Sequence, residues 1–280
     1  MGSFCHGHIW CLRAWFRISG ITDAVNCHSF SFAMSYLPEY SAIVLVHPVE
    51  KAPAFAALTL VFALLGRMVR GVTTGGAVAG AAVCFALLWA AGLAGFAGLL
   101  TVFVLTWVAT RFGYKRKQRL GTAEARTGRS ALQVLANLGT AAACAVLYST
   151  LWPDRRLLIA MAAALAEAAA DTVSSEMGQA LGGVPRLITT WKKVEPGRDG
   201  AVTWAGTMDG ATAAIAVALV FALSGIFSWQ LFAVCAGAGV AGMIFDSVLG
   251  ATIERKRLLG NNAVNFASTI FAAALVFLLS

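Results

Sequence analysis

From Lys51 onward the chain is a succession of apolar runs, at roughly 52–66, 72–91, 94–110, 131–151, 157–181, 202–225, 229–253 and 264–279, parted by short connections. An α-helix needs about 20 apolar residues to cross the hydrocarbon of a bilayer. There every backbone N–H and C=O must be satisfied within the protein, which leaves only helices or closed barrels. Barrel strands alternate apolar and polar residues, whereas these runs are continuous. The expectation is an all-α, polytopic helical membrane protein with seven or eight transmembrane helices. The first either extends back through Ala42–Pro48 or is re-entrant. Composition agrees, with 59% apolar and 12% charged residues, against about 25% charged in a soluble domain.

The positive residues orient the bundle. With the 111–130 connection in the cytoplasm, that side receives Arg67 and Arg70, seven cations between Arg111 and Arg129, Arg186, Lys192, Lys193 and Arg198, and Arg255, Lys256 and Arg257. These are sixteen of the 21 Lys and Arg, while Lys51, Arg155 and Arg156 fall on the other side. Such a bias is what the positive-inside rule requires, and it predicts an integral protein of the cell (inner) membrane. Trp89, Trp152 and Trp229 at outer span ends, and Trp107 and Trp204 at inner ends, fit an aromatic belt. Because the cations sit in connections, the net charge of +8 reads as topology and not as nucleic-acid binding.

Residues 1–50 form an N-terminal extension unlike the rest. Cys5, His6, His8, Cys11, Cys27 and His28 match no standard zinc spacing, and no apolar stretch of a signal peptide follows Arg13 and Arg17. Met34 is an alternative start, and residues 1–35 are expected to be poorly ordered. Cys84, Cys144 and Cys235 lie in apolar runs and read as packing residues.

Within the spans, Ala166–Gly178 carries three acids. Ionised carboxylates in hydrocarbon are costly and usually functional. At 100° per residue Glu167, Asp171 and Ser175 share a face, with Glu176 about 140° from Asp171. Asp209 and Asp246 lie about two turns from the basic ends of their spans and Asn137 about two turns into its own, while Asn261, Asn262 and Asn265 open the last span at the same side. The repeated depth predicts one cavity open to the cytoplasm, with Asp171, Asp209 and Asp246 facing each other. The alternative is that each is an isolated polar residue in helix packing. Converging carboxylates suit Mg²⁺, which takes one or two of them plus substrate phosphates. The expected metal set is Asp171, Glu176, Asp246 and Asp209. Phosphate candidates are Lys192, Lys193 and Arg198, the Pro196-Gly197-Arg198-Asp199-Gly200 turn, the hydroxyls of Ser175, Thr189, Thr190 and Thr203, and Arg129 with Gln133 at the mouth of the following span. Gly237-Ala-Gly-Val-Ala-Gly242 fits a dinucleotide fingerprint but lies inside an apolar run, so it and Gly76-x-x-x-Gly80 read as small-residue helix packing.

Several motifs in order, Ala170–Gly178, Pro185–Thr190, Val194–Val202, Asp246–Thr252, Asn261–Phe266, Thr110-Arg-Phe-Gly and Gly128–Asn137, resemble the transmembrane-protein-nineteen family, long catalogued as a domain of unknown function. The likeness covers about 65–280. Its plant member is a phytyl-phosphate kinase, so the resemblance implies a transferase that converts an isoprenoid monophosphate to the diphosphate with a nucleoside triphosphate and Mg²⁺. It implies a transmembrane catalytic domain over 51–280, with Asp171, Glu176, Asp246 and Asn262 as nucleotide–metal residues. The spacing Asp171…Gly178…Gly182…Pro196-Gly197…Gly200 is loosely similar to the nucleotide motif of CTP-dependent polyprenol kinases, which favours CTP. In this reading Asp171 and Asp246 are catalytic, and Lys192, Lys193 or Arg198 offsets developing charge. The same acids also suit an ion-coupled transporter, and a homo-oligomer is compatible with either.

Overall fold

A helix that carries three acids has to be kept from lipid, and the structure does so by putting that helix in the middle. The computed structural model describes residues 48–279. The cysteine–histidine cluster, the expected disorder of 1–35 and the Ala42–Pro48 extension lie outside those residues, apart from Pro48 itself. The elements are α1 (Pro48–Met68), α2 (Thr74–Arg111), α3 (Tyr114–Arg119), α4 (Ala131–Thr150), α5 (Arg155–Leu181), β1 (Arg186–Leu187), β2 (Ala201–Val202), α6 (Trp204–Leu223), α7 (Trp229–Leu249) and α8 (Asn261–Leu279), and a π-helical turn, Gly250–Glu254, continues α7.

Seven of the described helices are long and apolar enough to cross a membrane. The longest, α2, is a hairpin. Gly92 (φ 57°, ψ −143°) breaks the helical path, and a Cβ on Gly95 would strike the Leu87 carbonyl. In a continuous helix residues eight apart are about 12 Å apart along the axis. The chain therefore reverses at Gly92, a conformation open to glycine. The runs 72–91 and 94–110 are its two arms, and seven helices make eight passes. Arg111, ending the second arm, donates to the Val69 carbonyl just ahead of the first.

Helix α5 packs against α2, α4, α6, α7 and α8, and eighteen of its 27 residues are buried. Alanines on α5 and glycines on its neighbours permit this, since backbones approach closely where side chains are small. A Cβ on Gly210 of α6 would lie 2.7 Å from the Ala170 carbonyl oxygen, and one on Gly239 of α7 would lie 2.8 Å from Ala166 Cβ. In the Gly237–Gly242 run, Gly239 and Gly242 serve helix packing, as the context predicted, whereas a Cβ on Gly237 would meet nothing within 4 Å. Gly76-x-x-x-Gly80 divides: Gly76 abuts the Arg129 backbone, but nothing lies within 4 Å of a Cβ on Gly80. The packing expectation fails there, because Gly80 faces a cavity. Cys84, Cys144 and Cys235 are buried and free.

Helix α1 packs lightly, through Thr59 to the Cys84 thiol and through Phe62, edge-on to Phe96 and Phe103 at 5.6 and 5.5 Å. At the basic end α3 is pinned by Lys117, which is fully buried. Its Nζ donates to the Ala109 and Thr110 carbonyls at 2.9 and 2.7 Å and to the Glu176 carboxylate at 2.5 Å. One cation thereby satisfies the last carbonyls of α2 and ties α3 to α5. The 182–203 connection folds as a short antiparallel ladder that pairs Arg186 with Val202 and Leu187 with Ala201.

Candidate active site

At the basic end a polar cavity of about 280 Å³ opens among α4, α5, α7, α8 and the 182–203 connection. Asp171 of α5 and Asp246 of α7 both line it, and their carboxyls are within hydrogen-bonding reach of each other. Ser268 of α8 donates to Asp246 Oδ2 at 3.2 Å. One turn deeper, Glu167 is 1% exposed, and its Oε1 has no hydrogen-bond partner among the described residues. The Pro196–Gly200 turn covers one side. Gly200 has φ 71°, and a Cβ there would strike Ala251, while one on Gly250 would lie 2.8 Å from the Gly200 nitrogen. Gly250, one turn after Asp246, thus lets backbone come up beside the acid.

Arg129 is the best-anchored cation on this wall. Its N–H donates to the Gly71 carbonyl at 3.0 Å and its own carbonyl accepts from Thr73 at 2.9 Å. A capping box of Ser130 and Gln133 then starts α4 at the next residue. The Arg129 guanidinium donates to Thr172 Oγ1 at 3.3 Å and attracts Asp171 across the cavity. Gln133 Nε2 donates to Glu124 at 3.0 Å.

The cavity brings together Asp171, Asp246, Ser175, Glu176, Pro196, Gly197, Arg198, Gly200, Thr203, Arg129, Asn137 and Asn265. Asn137 and Asn265 also pair with each other, at 3.3 Å. Other expectations need correction. Glu176 lines the wall, but its carboxylate is taken by Lys117, so its position is structural. Asp209 does not join the other two acids. Gly206 and Gly210 form the face of α6 that meets α5, which turns Asp209 about 100° away from Gly210, and its Oδ2 is buried without a partner among the described residues. Lys192, Lys193, Thr189 and Thr190 are exposed. There the chain turns back on itself, with Leu187 donating to the Lys192 carbonyl and Trp191 to the Leu187 carbonyl, and none of the four lines the cavity. Asn262 also lies off it, and Asn261 takes the rim. Among the described residues no group of three His, Cys, Asp or Glu is arranged to hold a metal ion. The trio Asp171, Asp209 and Asp246 is therefore a pair.

Glu254, Glu124, Thr172 and Gln179 line the cavity without having been singled out. A regular helix would put Glu254 about 80° round from Asp246, and the π turn brings both onto one cavity. Such turns are frequent at functional sites, but nothing in the residues around Gly250 announces one.

A second, more apolar cavity of about 360 Å³ lies between α1 and the α2 hairpin, walled by Phe62, Leu99, Phe103 and Trp107. Arg70, Arg126 and Arg129 also line it. The two cavities share Glu124, Arg129, Gln133 and Asn137.

Residues 57–273 match the family described as integral membrane protein DUF92. The chain belongs to this family. An uncharacterised membrane protein of Methanocaldococcus jannaschii, MJ0933, is 35% identical over 75% of this chain and 86% of its own length. Protein PGR of Arabidopsis thaliana is 32% identical over 66% of this chain and 81% of its own length. Protein VTE6, chloroplastic, also of Arabidopsis thaliana, is 30% identical over 71% of this chain and 62% of its own length. No solved structure matches the chain. The DUF92 match spans every apolar helix at least in part and both sides of the polar cavity.

What this DUF92 site can hold follows from its donors. Two carboxylates within reach of each other, on a wall that also carries Ser175 and Ser247, are too few for an all-protein cage. They fit Mg²⁺, which dehydrates reluctantly and is commonly held by one or two carboxylates plus substrate phosphates.

Proposed function

We propose that the chain is a membrane-embedded isoprenoid (phytyl or polyprenyl) monophosphate kinase that makes the diphosphate from a nucleoside triphosphate, CTP favoured, with Mg²⁺. Its active site lies on the cytoplasmic side of the cell membrane. One observation carries the reading: Asp171 and Asp246, 75 residues apart in the chain, line one polar cavity whose wall, at Arg129, is also the wall of an apolar one. A carrier needs the acids but not that pairing of a polar and an apolar chamber.

Asp171 and Asp246 would hold Mg²⁺, which when bound neutralises phosphate charge. Arg129 orients the acceptor phosphate and Arg198 at the rim draws the donor. The Pro196–Gly200 turn and Ser175 supply hydrogen bonds to phosphate oxygens. An oxygen of the acceptor monophosphate forms the new bond to the γ-phosphorus as the bond to the β-phosphate oxygen breaks, and the nucleoside diphosphate leaves. The acceptor is already an anion, so no strong general base is required, and the chain's task is positioning and charge.

The test is transfer of label from γ-labelled CTP or ATP to phytyl or geranylgeranyl monophosphate by the purified chain in detergent with Mg²⁺. Labelled lipid diphosphate is expected. No transfer from any nucleotide, together with substrate-dependent uptake into liposomes, would establish the ion-coupled transporter instead. Arg129→Gln is expected to lower kcat/KM for the lipid about 10²-fold, the scale of losing a preorganised donor to a phosphoryl group. Steady-state kinetics at saturating nucleotide check this.

A further inference from the structure

We infer that the apolar cavity between α1 and the α2 hairpin is the binding site for the tail of a single-chain isoprenyl monophosphate, with Arg129 as the residue that hands its phosphate to the polar cavity. This rests on the kinase reading and names where its acceptor sits. Three observations carry it. The cavity is walled by aromatic and aliphatic side chains, Phe103 and Trp107 among them, while Arg70, Arg111, Arg126 and Arg129 outweigh Glu124 on its lining, the pattern that complements a molecule with an apolar body and one anionic head. Its size falls in the range of small-molecule sites. The polar cavity with Asp171 and Asp246 begins on the far side of Arg129. A head held there is presented to the acids, while the tail stays among apolar side chains.

Gly80 supplies the probe. It lines the cavity, about 10 Å along the helix from Thr73 at the basic end. A Cβ there meets nothing within 4 Å, so a larger side chain grows into space a tail would occupy and not into a neighbour. Gly80→Phe, with Gly80→Leu as the gentler change, is expected to weaken binding of geranylgeranyl monophosphate about tenfold. That is the worth of roughly two methylenes left unburied. Geranyl monophosphate, with half the tail, should change less than about twofold.

The measurement is equilibrium binding of the two radiolabelled monophosphates to the full chain in detergent, with phosphatidic acid as competitor. Equal loss for both tails, or no loss for either in variants that keep wild-type thermal stability, overturns the tail site. So does displacement by phosphatidic acid as effective as by unlabelled geranylgeranyl monophosphate, which would make the cavity a place for bilayer phospholipid. The kinase reading fails separately. Wild-type binding that depends on tail length without phosphoryl transfer removes the kinase and leaves the tail site. Transfer that proceeds with no effect of Gly80→Phe on tail preference removes the tail site and leaves the kinase.

Discussion

Asp171→Asn and Asp246→Asn should each reduce transfer of phosphate to an isoprenyl monophosphate by at least about 10³-fold, with both proteins still folded. Both carboxyls line the polar cavity, and each repels the other when ionised. Exchanging one for an amide of the same shape takes away half of what would grip Mg²⁺–nucleotide and at the same time relieves repulsion inside the bundle. Activity and stability therefore part company. The loss in rate is on the scale expected when a preorganised charge at a developing phosphoryl transition state is removed, whereas the melting temperature in detergent should stay level or rise. Asp209→Asn serves as the contrast, because Asp209 lies off the cavity, and its kcat should remain within about threefold of wild type on the ordinary scatter of substitutions away from the chemistry. Full activity in Asp171→Asn or Asp246→Asn, or a collapse in Asp209→Asn at unchanged stability, would show that the acids were assigned wrongly.

Lys117→Met is expected to produce the largest loss of stability. The Lys117 side chain is 0% exposed and that of Glu176 11%, so removing the ammonium strands a carboxylate in an enclosed place and frees the Ala109 and Thr110 carbonyls at the end of α2. Breaking a buried pair from one side costs about 3–5 kcal/mol, while replacing both members is often close to neutral. The single variant should melt on the order of 10 °C lower, and Lys117→Met/Glu176→Gln should recover most of the difference. Thermal unfolding in detergent, followed by tryptophan fluorescence, checks this. An unchanged melting temperature in the single variant would mean that water reaches the pair.

The helices were legible because hydrocarbon imposes a simple rule on a chain, and length and apolarity alone mark where it is obeyed. That Glu167 and Asp171 turn away from lipid was legible for the same reason; that their helix stands in the middle of the bundle came from the packing. The partners of the acids were less so. Asp209 shares the depth of Asp171 and Asp246, but depth along a span does not fix rotation, and the glycines at 206 and 210 took the contact face. Lys192 and Lys193 follow the loop sequence a phosphate site would use, yet two backbone hydrogen bonds close that stretch on itself. Glu176 stands in the right motif, and only the position of α3, set by tertiary packing, shows that Lys117 claims it. Glu254 reached the cavity through a π turn that helical periodicity does not contain.

The burial of α5 bears on how such a protein enters a bilayer at all. An aspartate near the middle of a lone segment costs about 2.5–3.5 kcal/mol on insertion, and this segment carries Glu167, Asp171 and Glu176. Left to partition by itself it is the least willing of the seven to leave the translocation machinery. Both arms of α2 and all of α4 emerge from the ribosome before it, and these are flanks it packs against in the finished bundle. The order of the chain thus supplies a protein-lined berth before the acidic helix is made, so its carboxylates need never be solvated by lipid.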